Sequence, residues 1–340
     1  MVTIRHWQER IGRQRDWVWR GWQTRYTYMP LGSLASSPDS RMAVAPEQSC
    51  GPTAPPLPQD HPPPLILLHG FGASIEQWRH NVPVLSQHHA VYALDLLGFG
   101  GSKKAPVSYG VHLWVQQVYD FWQTFIRRPV VLVGNSIGSL VCMTTAAAHP
   151  EMVQALVLLN LPDVGGAREQ FPRWLQTVES MVKGAIASPP LLRTVFKIVR
   201  RPPFVRRWAG LAYADRTAIT DELVNILAAP AQDEGAARAF CALFRAIGEP
   251  HFAPAAKVLL PTLEIPILLI WGRYDRMVPA SLAQTFAALN PNIQVVELEA
   301  GHCPHDECPD RVNQILVSWL KAPQVQGTGE TIPPGRGKGK

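Results

Sequence analysis

The stretch that decides the fold is Pro129-Val-Val-Leu-Val-Gly-Asn-Ser-Ile-Gly-Ser139. Its first part, residues 129–133, is a continuous apolar and β-branched run, which is typical of a strand buried on both faces. Small and apolar residues from Ile137 to Ala148 predict a helix directly after it. The glycines of Gly134-Asn-Ser-Ile-Gly138 permit a sharp turn between the two elements. We therefore expect Ser136 to project at the carboxyl edge of a parallel sheet, beside a helix N-terminus.

Strands and helices alternate on both sides of this turn. Short apolar runs predict strands at Leu65–Leu68, Ala90–Leu94, Ala155–Asn160, Ile265–Trp271 and Gln294–Leu298. Helical spacing of apolar residues predicts helices at His112–Ile126, Ser281–Leu289 and Arg311–Leu320. This alternation predicts fold class α/β, with a mostly parallel twisted sheet and helices on both faces.

One long segment interrupts the alternation. Residues 164–255 contain helical patterns and Pro-Pro pairs but almost no strand signal. A stretch of about 90 residues is too long for a loop in a compact domain. We interpret it as an inserted helical cap over the carboxyl edge of the sheet, where open α/β sheets bind ligands. The predicted α/β core then comprises residues 65–163 and 256–322.

Three terminal or linking segments lie outside core and cap. Residues 1–30 mix Trp and Arg, and the spacing of aromatics from Asp16 to Tyr28 predicts an N-terminal arm with a half-buried edge strand. Residues 31–64 are predicted to be a disordered insertion, because eight of the 19 residues from 46 to 64 are proline. Residues 323–340 are predicted to be a disordered tail.

Composition limits the class of protein. Hydrophobic residues make up 46% of the 340 residues and charged residues 17%, which excludes wholesale disorder. No apolar run approaches the roughly 18 residues that span a bilayer, and the first residues lack the apolar segment of a signal peptide. Five scattered cysteines indicate a reducing compartment. We expect a cytoplasmic protein or one peripheral to a membrane.

The net charge of +6 is unevenly distributed. Residues 181–214 contain seven basic side chains and no acidic one, interleaved with apolar residues. Such a patch either binds anionic lipid headgroups or is an ordinary solvated face. We expect weak association with an anionic membrane surface and no nucleic-acid partner.

Three residues that follow predicted strands carry the candidate chemistry. Ser136 lies in the G-x-S-x-G turn, Asp275 comes just after the strand ending at Trp271, and His302 follows the next strand. Their order along the chain differs from that of trypsin-like and subtilisin-like enzymes. We expect Ser136 to be the nucleophile, His302 its general base and Asp275 the group that orients the imidazole. Asp163 is the alternative acid.

From about Leu65 to Leu320 the chain resembles the α/β hydrolases with a helical lid. Five stretches carry the resemblance: His69-Gly-Phe-Gly72, the turn Asp95–Ser102, the strand-to-helix turn 134–138 (the elbow), the loop 271–279 that contains Asp275 (the acid loop) and Ala300-Gly-His302. It implies acyl transfer through an acyl-enzyme, with an oxyanion hole formed by the N–H groups of Phe71 and Ile137. It also implies that no metal or organic cofactor takes part.

Three stretches resemble more narrowly the pheophytinase and chlorophyll dephytylase branch of plants and cyanobacteria. They are Asp95-Leu-Leu-Gly-Phe-Gly100, the elbow, and Ala300-Gly-His-Cys-Pro-His-Asp-Glu-Cys-Pro309. Members of that branch hydrolyse the phytyl ester of chlorophyll-type pigments. The Gly-Asn-Ser elbow also occurs in hydrolases that cleave carbon–carbon bonds. Ser139 stands where many relatives have a second glycine.

These features predict a serine hydrolase that cleaves a carboxylic ester of a hydrophobic substrate, with a phytyl ester as the favoured guess. The alternatives are a carbon–carbon bond or small-ester hydrolase and a non-catalytic binding protein of the same fold. Haloalkane dehalogenases and epoxide hydrolases share the capped fold but need a carboxylate nucleophile, so Ser136 disfavours them.

Several other side chains are candidates for the site. Trp78 after the first loop and three cap aromatics are expected to bind substrate, with core packing as the alternative for each; these are Trp174, Phe204 and Trp208. Asp95 is expected to stabilise a turn rather than to react. Cys303, His305 and Cys308 lie close in sequence but lack a fourth partner, so no metal site is expected.

Overall fold

The structure, a computed structural model, describes residues 10–33, 61–163, 189–247, 249 and 251–326. Residues 34–60 of the predicted insertion, 164–188 of the predicted cap and 327–340 of the predicted tail lie outside the described residues. The strands are β1 (Gln14–Trp19), β2 (Trp22–Met29), β3 (Leu65–Leu68), β4 (Val91–Leu94), β5 (Val130–Asn135), β6 (Val153–Leu159), β7 (Ile267–Gly272) and β8 (Ile293–Leu298).

The helices found in these ranges are α1 (Val82–Leu85), α2 (Val111–Phe125), α3 (Ile137–Ala148), α4 (Pro189–Val199), α5 (Pro202–Ala212), α6 (Asp221–Ala228), α7 (Ala236–Ile247), α8 (Ala256–Leu259), α9 (Ser281–Ala287), α10 (Pro304–Glu307), α11 (Pro309–Leu320) and α12 (Pro323–Gln326). Short 3-10 helices occur at Ile75–Trp78, Arg216–Ala218, Pro230–Gln232 and Leu260–Thr262. Within the described ranges, no helix is both long and apolar enough to cross a membrane.

The eight strands form one sheet in the order β1-β2-β4-β3-β5-β6-β7-β8. Strands β3 to β8 pair in parallel, whereas β1 and β2 pair antiparallel with each other and β2 pairs antiparallel with β4. The predicted fold class, a mostly parallel sheet with helices on both faces, is thereby confirmed.

The core lies on both faces of the sheet because side chains alternate along each strand. In β3, Ile66 and Leu68 join the core cluster that packs on α2 and α3, while Leu65 and Leu67 join the cluster that packs on α1 and α11. All four residues are buried. This double burial explains why the parallel strands are continuous apolar runs in the sequence.

The N-terminal segment forms two strands where the sequence suggested one. Arg20 and Gly21 adopt positive φ angles of 50° and 81°, which suit the two-residue turn of a β-hairpin. β1 and β2 therefore fold back on each other, with Trp19 opposite Trp22. The near-even spacing of aromatics continues across the turn, which is why the sequence pattern does not separate the strands.

Among the described residues, five helices, α4 to α8, lie between β6 and β7, and α4 to α7 of these fall within the segment expected to be the inserted helical cap. The limits of that cap at residues 164 and 255 stay a prediction. Parallel strands place their carboxyl ends at one edge of the sheet. The loops after β3, β5, β6, β7 and β8 therefore meet there.

Candidate active site

Ser136 occupies the turn between β5 and α3 with φ 55° and ψ −115°. A positive φ is unfavourable for a residue with a side chain. The glycines around it make the tight turn possible. A Cβ atom on Gly134 would lie 2.4 Å from the carbonyl carbon of Gly138, and one on Gly138 would lie 2.3 Å from the carbonyl oxygen of Leu68. The turn is thus packed directly against β3.

The serine that replaces the second glycine has a structural contact. Ser139 is fully buried, and its hydroxyl lies 2.7 Å from the carbonyl oxygen of Gly134 and 3.0 Å from that of Leu159. One hydroxyl proton is shared between these acceptors. Ser139 therefore ties the elbow to the ends of β5 and β6.

Asp275 and His302 are brought together by the loops after β7 and β8. His302 Nδ1 lies 2.7 Å from Asp275 Oδ2. The other carboxylate oxygen accepts hydrogen bonds from the N–H groups of Met277 (2.7 Å) and Val278 (2.9 Å). Because Nδ1 is engaged with the carboxylate, Nε2 is the ring nitrogen that remains for another partner.

These contacts keep Asp275 ionised. Burial by itself raises the pKa of the carboxyl group, but the charge and hydrogen bond of His302 oppose it, as do hydrogen bonds from Val278 and Asn160. Their combined effect holds the pKa of Asp275 below its ordinary value. A carboxylate in this state can orient an imidazole and stabilise its cation.

Asn160 is a site residue that the sequence analysis missed. Its Nδ2 donates to Asp275 Oδ2 at 2.6 Å, and its backbone has a φ of 49° directly after β6. Asparagine is enriched at such left-handed positions. An asparagine directly after a buried strand is therefore the sequence feature from which this site residue could have been predicted.

The loop after β3 lies against the elbow. A Cβ atom on Gly70 would be 2.9 Å from Asn135 Oδ1 and 3.4 Å from the Cβ of Ser136. Phe71 follows in this loop, and Ile137 begins α3. Among the described residues, neither of their N–H groups donates to a protein acceptor. Two free amides near a serine at a helix N-terminus suit a developing negative charge.

Asp95 organises the turn beneath this loop, as expected. Its carboxyl oxygens accept from the N–H groups of Ile75 (2.8 Å) and Gly101 (2.6 Å). Burial raises the pKa of Asp95 to about 8. His69 is also buried, and burial lowers its pKa to about 4, so the ring is neutral near pH 7. Both groups fasten backbone segments together.

Asp163, the alternative acid, has a different partner. Its Oδ2 lies 3.2 Å from Nζ of Lys257, and its side chain is almost fully buried on the wall of the cavity. His302 Nδ1 is bonded to Asp275 instead. The geometry therefore favours Asp275 as the group that orients His302.

A cavity of about 1070 Å³ opens over Ser136 and His302, between the sheet edge and the cap. This volume lies just above the range of ordinary ligand pockets, which measure roughly 300–1,000 Å³. Its wall is mainly apolar, and the aromatic side chains in it are Phe71, Phe99, Phe196, Phe204, Trp208, Tyr213, Phe240, Phe244 and Phe252.

The expected substrate-binding aromatics fall into three groups. Phe204 and Trp208 line the cavity from α5, with ring centroids 6.1 Å apart. Trp174 lies outside the described residues. Trp78 is fully buried in the core cluster that packs on α1 and α11, and its ring centroid lies 4.2 Å from that of His305 with the ring planes tilted by 32°. Trp78 is therefore a packing residue, which corrects the expectation that it binds substrate.

Each of the three residues that were considered as metal ligands, Cys303, His305 and Cys308, contacts a different group. Cys303 Sγ approaches Asn135 Oδ1 at 3.9 Å, the His305 ring packs against the ring of Trp78, and Cys308 Sγ approaches the carbonyl oxygen of Pro304 at 3.3 Å. Within the part of the chain that the structure describes, no group of three His, Cys, Asp or Glu side chains is placed to hold a metal ion.

Comparison with known proteins identifies a protein family that matches this chain. The sequence profile of the α/β hydrolase fold matches residues 63–309. Chloroplastic pheophytinase of Arabidopsis thaliana is 25% identical over 296 residues, which cover 76% of this chain and 61% of that protein. The chain thus spans less than two thirds of the length of this relative.

Two other similar proteins have different names. The 2-hydroxy-6-oxo-6-(2'-aminophenyl)hexa-2,4-dienoic acid hydrolase of Metapseudomonas resinovorans is 26% identical over 262 residues, covering 76% of this chain and 83% of that protein. The crystal structure of a bacterial membrane phospholipase A is similar with a TM-score of 0.67 and 26% identity, covering 92% of this chain and 87% of that one.

Proposed function

Because the chain belongs to the family with the α/β hydrolase fold, we propose that it is a serine hydrolase that cleaves a carboxylic ester of a hydrophobic molecule. The observation that carries the proposal is the Asp275–His302 hydrogen bond, because His302 lines the same apolar cavity as Ser136. A serine, an ionised acid and a histidine, in that order along the chain, fit acyl transfer.

The proposed reaction has two halves. Ser136 Oγ attacks the ester carbonyl carbon while His302 Nε2 takes the hydroxyl proton, and Asp275 stabilises the resulting imidazolium. The N–H groups of Phe71 and Ile137 hold the oxyanion. The intermediate expels the alcohol, which receives the proton from His302. Water, deprotonated by His302, then attacks the acyl-enzyme and releases the acid.

The cavity favours a large, apolar substrate. Its aromatic wall has few charged groups, so burial of hydrocarbon surface is the main source of binding free energy there. Phe204 and Trp208 are proposed to contact the substrate from the cap. Trp174 stays a prediction, because it lies outside the described residues.

The favoured substrate is the phytyl ester of a chlorophyll-type pigment. The similarity to pheophytinase and the sequence Ala300–Pro309 support this choice, together with a cavity volume suited to a bulky ligand. No cofactor is needed for the proposed chemistry, because the nucleophile, the base and the oxyanion donors all come from the chain.

A carbon–carbon bond hydrolase is the second candidate. It is supported by the Gly-Asn-Ser elbow and by the similarity to the hexadienoic acid hydrolase. A ring-fission product of that kind is smaller and carries a carboxylate, whereas most of the cavity wall is apolar. We therefore rank it below ester hydrolysis.

We propose that the protein binds its substrate at an anionic membrane surface. Lys197, Arg201 and Arg207 are exposed on α4, α5 and the turn between them. Ile198 is 49% exposed and also lines the cavity, so an apolar group and cations share one rim. Arg206 is engaged with Asp221 and is left out of the proposed contact. A Lys or Arg side chain near an anionic membrane surface contributes about 1 kcal/mol.

The test is a substrate panel with product analysis. Purified protein is incubated separately with pheophytin a, chlorophyll a, p-nitrophenyl esters of graded acyl length and a ring-fission product of the hexadienoate type. Ester hydrolysis that increases with hydrophobic bulk is expected. Turnover of the ring-fission product alone would replace the proposal by the second candidate.

A further inference from the structure

The backbone of His302 touches the cap directly. Its N–H donates to the carbonyl oxygen of Ala212, the last residue of α5, at 2.6 Å. A Cβ atom on Gly301 would lie 2.3 Å from that same oxygen, so a larger residue would push the loop away. The end of α5 therefore packs directly against the loop after β8 that carries His302, which we call the histidine loop.

Glu307 reinforces this contact from the other side of the loop. Its Oε1 accepts from the N–H groups of Ala214 (3.0 Å) and Asp215 (2.7 Å), and its Oε2 accepts from the N–H of Gly301 (2.8 Å). One carboxylate thus bridges the residue before His302 and the segment that follows α5. Charge-assisted hydrogen bonds of this kind are stronger than neutral ones.

Asp306 makes a second, buried link to the same cap segment. The hydroxyl of Tyr213 donates to Asp306 Oδ2 at 2.6 Å, and Arg79 Nη1 donates to Asp306 Oδ1 at 2.6 Å. Gln77 Nε2 in turn donates to the Tyr213 oxygen at 3.0 Å. Tyr213 donates its hydroxyl proton to Asp306 and not the reverse, because the Asp306 carboxylate faces two donors and the Tyr213 oxygen already accepts a hydrogen bond from the Gln77 amide.

The cost of separating these groups is high. Tyr213 is 1% exposed, Arg79 3% and Asp306 6%, so water does not replace a broken contact without local opening. Arg79 also pairs with Glu222 of α6 at 2.7 Å. Removal of one member of a buried charge network leaves the others unpaired. The network holds the cap and the histidine loop together as one unit.

We propose that Tyr213, Asp306 and Glu307 are positioning residues that set His302 through the cap segment 212–215. This rests on the proposed function, since it assumes that His302 is the general base. A small error in the placement of a base has a large effect on rate, and a shift of about 1 Å can cost roughly 100-fold. The cap then helps to position His302 and also forms a wall of the substrate cavity.

The first test compares two buried tyrosines. Tyr213→Phe removes the hydroxyl that bonds Asp306, and Tyr109→Phe removes a hydroxyl that donates at 2.6 Å to the carbonyl oxygen of Ala105 away from the histidine loop. For a short p-nitrophenyl ester, we expect kcat of Tyr213→Phe to fall about 10- to 100-fold with KM changed less than about 3-fold. Tyr109→Phe is expected to keep kcat within about 2-fold, although both variants lose thermal stability.

The second test uses a residue that does not line the cavity. Glu307→Gln replaces one acceptor oxygen by an amide group that faces a backbone N–H, whereas Glu299→Gln alters an exposed carboxylate bonded to Arg273 and Tyr274. The rate constant for fluorophosphonate labelling is measured for both, because labelling needs an activated Ser136 but little substrate recognition. We expect labelling to slow at least about 10-fold in Glu307→Gln only.

The outcomes separate this inference from the proposed function. If the wild type neither hydrolyses esters nor reacts with the fluorophosphonate, the proposed function fails. If the wild type is active and folded Tyr213→Phe and Glu307→Gln, checked by circular dichroism, match their controls in kcat and labelling rate, the positioning role is overturned. A loss confined to KM would likewise contradict it.

Discussion

His302 Nδ1 and Asp275 Oδ2 are 2.7 Å apart, with side chains 5% and 0% exposed, respectively. The two residues are separated by 27 positions and come from the ends of adjacent parallel strands, β7 and β8. Their contact fixes which imidazole nitrogen is free, and it depends on the carboxylate being ionised. The first prediction concerns that carboxylate.

Asp275→Asn is expected to reduce kcat by about 10⁴, because the amide can no longer stabilise imidazolium and favours the wrong tautomer. Asp163→Asn provides the control, since it removes a carboxylate that is almost equally buried but pairs with Lys257 rather than with His302. Steady-state hydrolysis of a p-nitrophenyl ester measures both. A large loss in Asp163→Asn with little loss in Asp275→Asn would reverse the assignment of the acid.

Two buried histidines are expected to contribute less to the stability of the fold as the pH falls. Burial lowers the pKa of His69 to about 4 and that of His305 to about 3. In the unfolded chain a histidine titrates near 6.5, so between about pH 6.5 and 4 the unfolded state binds protons that the folded state does not. The contribution of these histidines to the free energy of unfolding therefore decreases as pH falls through this window, by at most about 1.4 kcal/mol per pH unit for each ring. Asp95, whose pKa burial raises to about 8, contributes in the opposite sense.

His305→Leu isolates one of these contributions, since it removes the titrating ring at similar volume. Urea unfolding at pH 7, 6, 5 and 4 gives the slope of stability against pH for wild type and variant. The slope between pH 6 and 4 should be smaller in the variant by about 1.4 kcal/mol per pH unit. Identical slopes would show that His305 does not resist protonation in the folded protein.

The elbow glycines are expected to be intolerant of even one methyl group. Gly138→Ala would place its Cβ 2.3 Å from the carbonyl oxygen of Leu68, so the backbone must shift, and we expect a loss of about 3 kcal/mol or more. Gly210→Ala in α5 meets no atom within 4 Å and should stabilise the helix by roughly 0.5–1 kcal/mol. Chemical denaturation of both variants measures the difference. Equal stabilities would contradict the close packing of α3 on β3.

The order of Ser136, Asp275 and His302 was readable from the sequence because each follows a short buried strand with a local signature. Parallel topology then brings the ends of these strands together, so the meeting of Asp275 and His302 follows from local patterns. The glycines of the elbow were readable for the same reason, since their role is a turn within five residues.

Other features depend on contacts between distant residues. Tyr213 and Asp306 are 93 positions apart, and Arg79 and Asp306 are 227 apart, so no local pattern reveals their network. Trp78 was misjudged because an aromatic after the first loop fits a cavity wall and a core position equally well. Only the packing of its 3-10 helix decides that the ring faces His305 and the core.

Membrane association is expected to depend on the cavity rim. A triple variant, with Lys197, Arg201 and Arg207 changed to Gln, should lose most of its co-sedimentation with anionic vesicles, and wild-type binding should weaken as salt shortens the Debye length from about 10 Å at 0.1 M to about 3 Å at 1 M. A control triple, with Arg127, Arg311 and Lys321 changed to Gln, removes the same charge outside the cap. Equal binding by both triples would mean that the rim is an ordinary solvated face.

The nucleophile is the centre of the proposed mechanism, and Ser136→Ala tests it most directly. Wild type and variant are treated with a fluorophosphonate, analysed by intact mass and peptide mapping, and assayed for ester hydrolysis. We expect one adduct, on Ser136 of the wild type, no adduct on the variant, and a fall in kcat of about 10⁴ to 10⁶ with the fold retained. Hydrolysis by the folded variant at a rate close to that of the wild type would contradict the assignment of Ser136 and the acyl-enzyme mechanism with it.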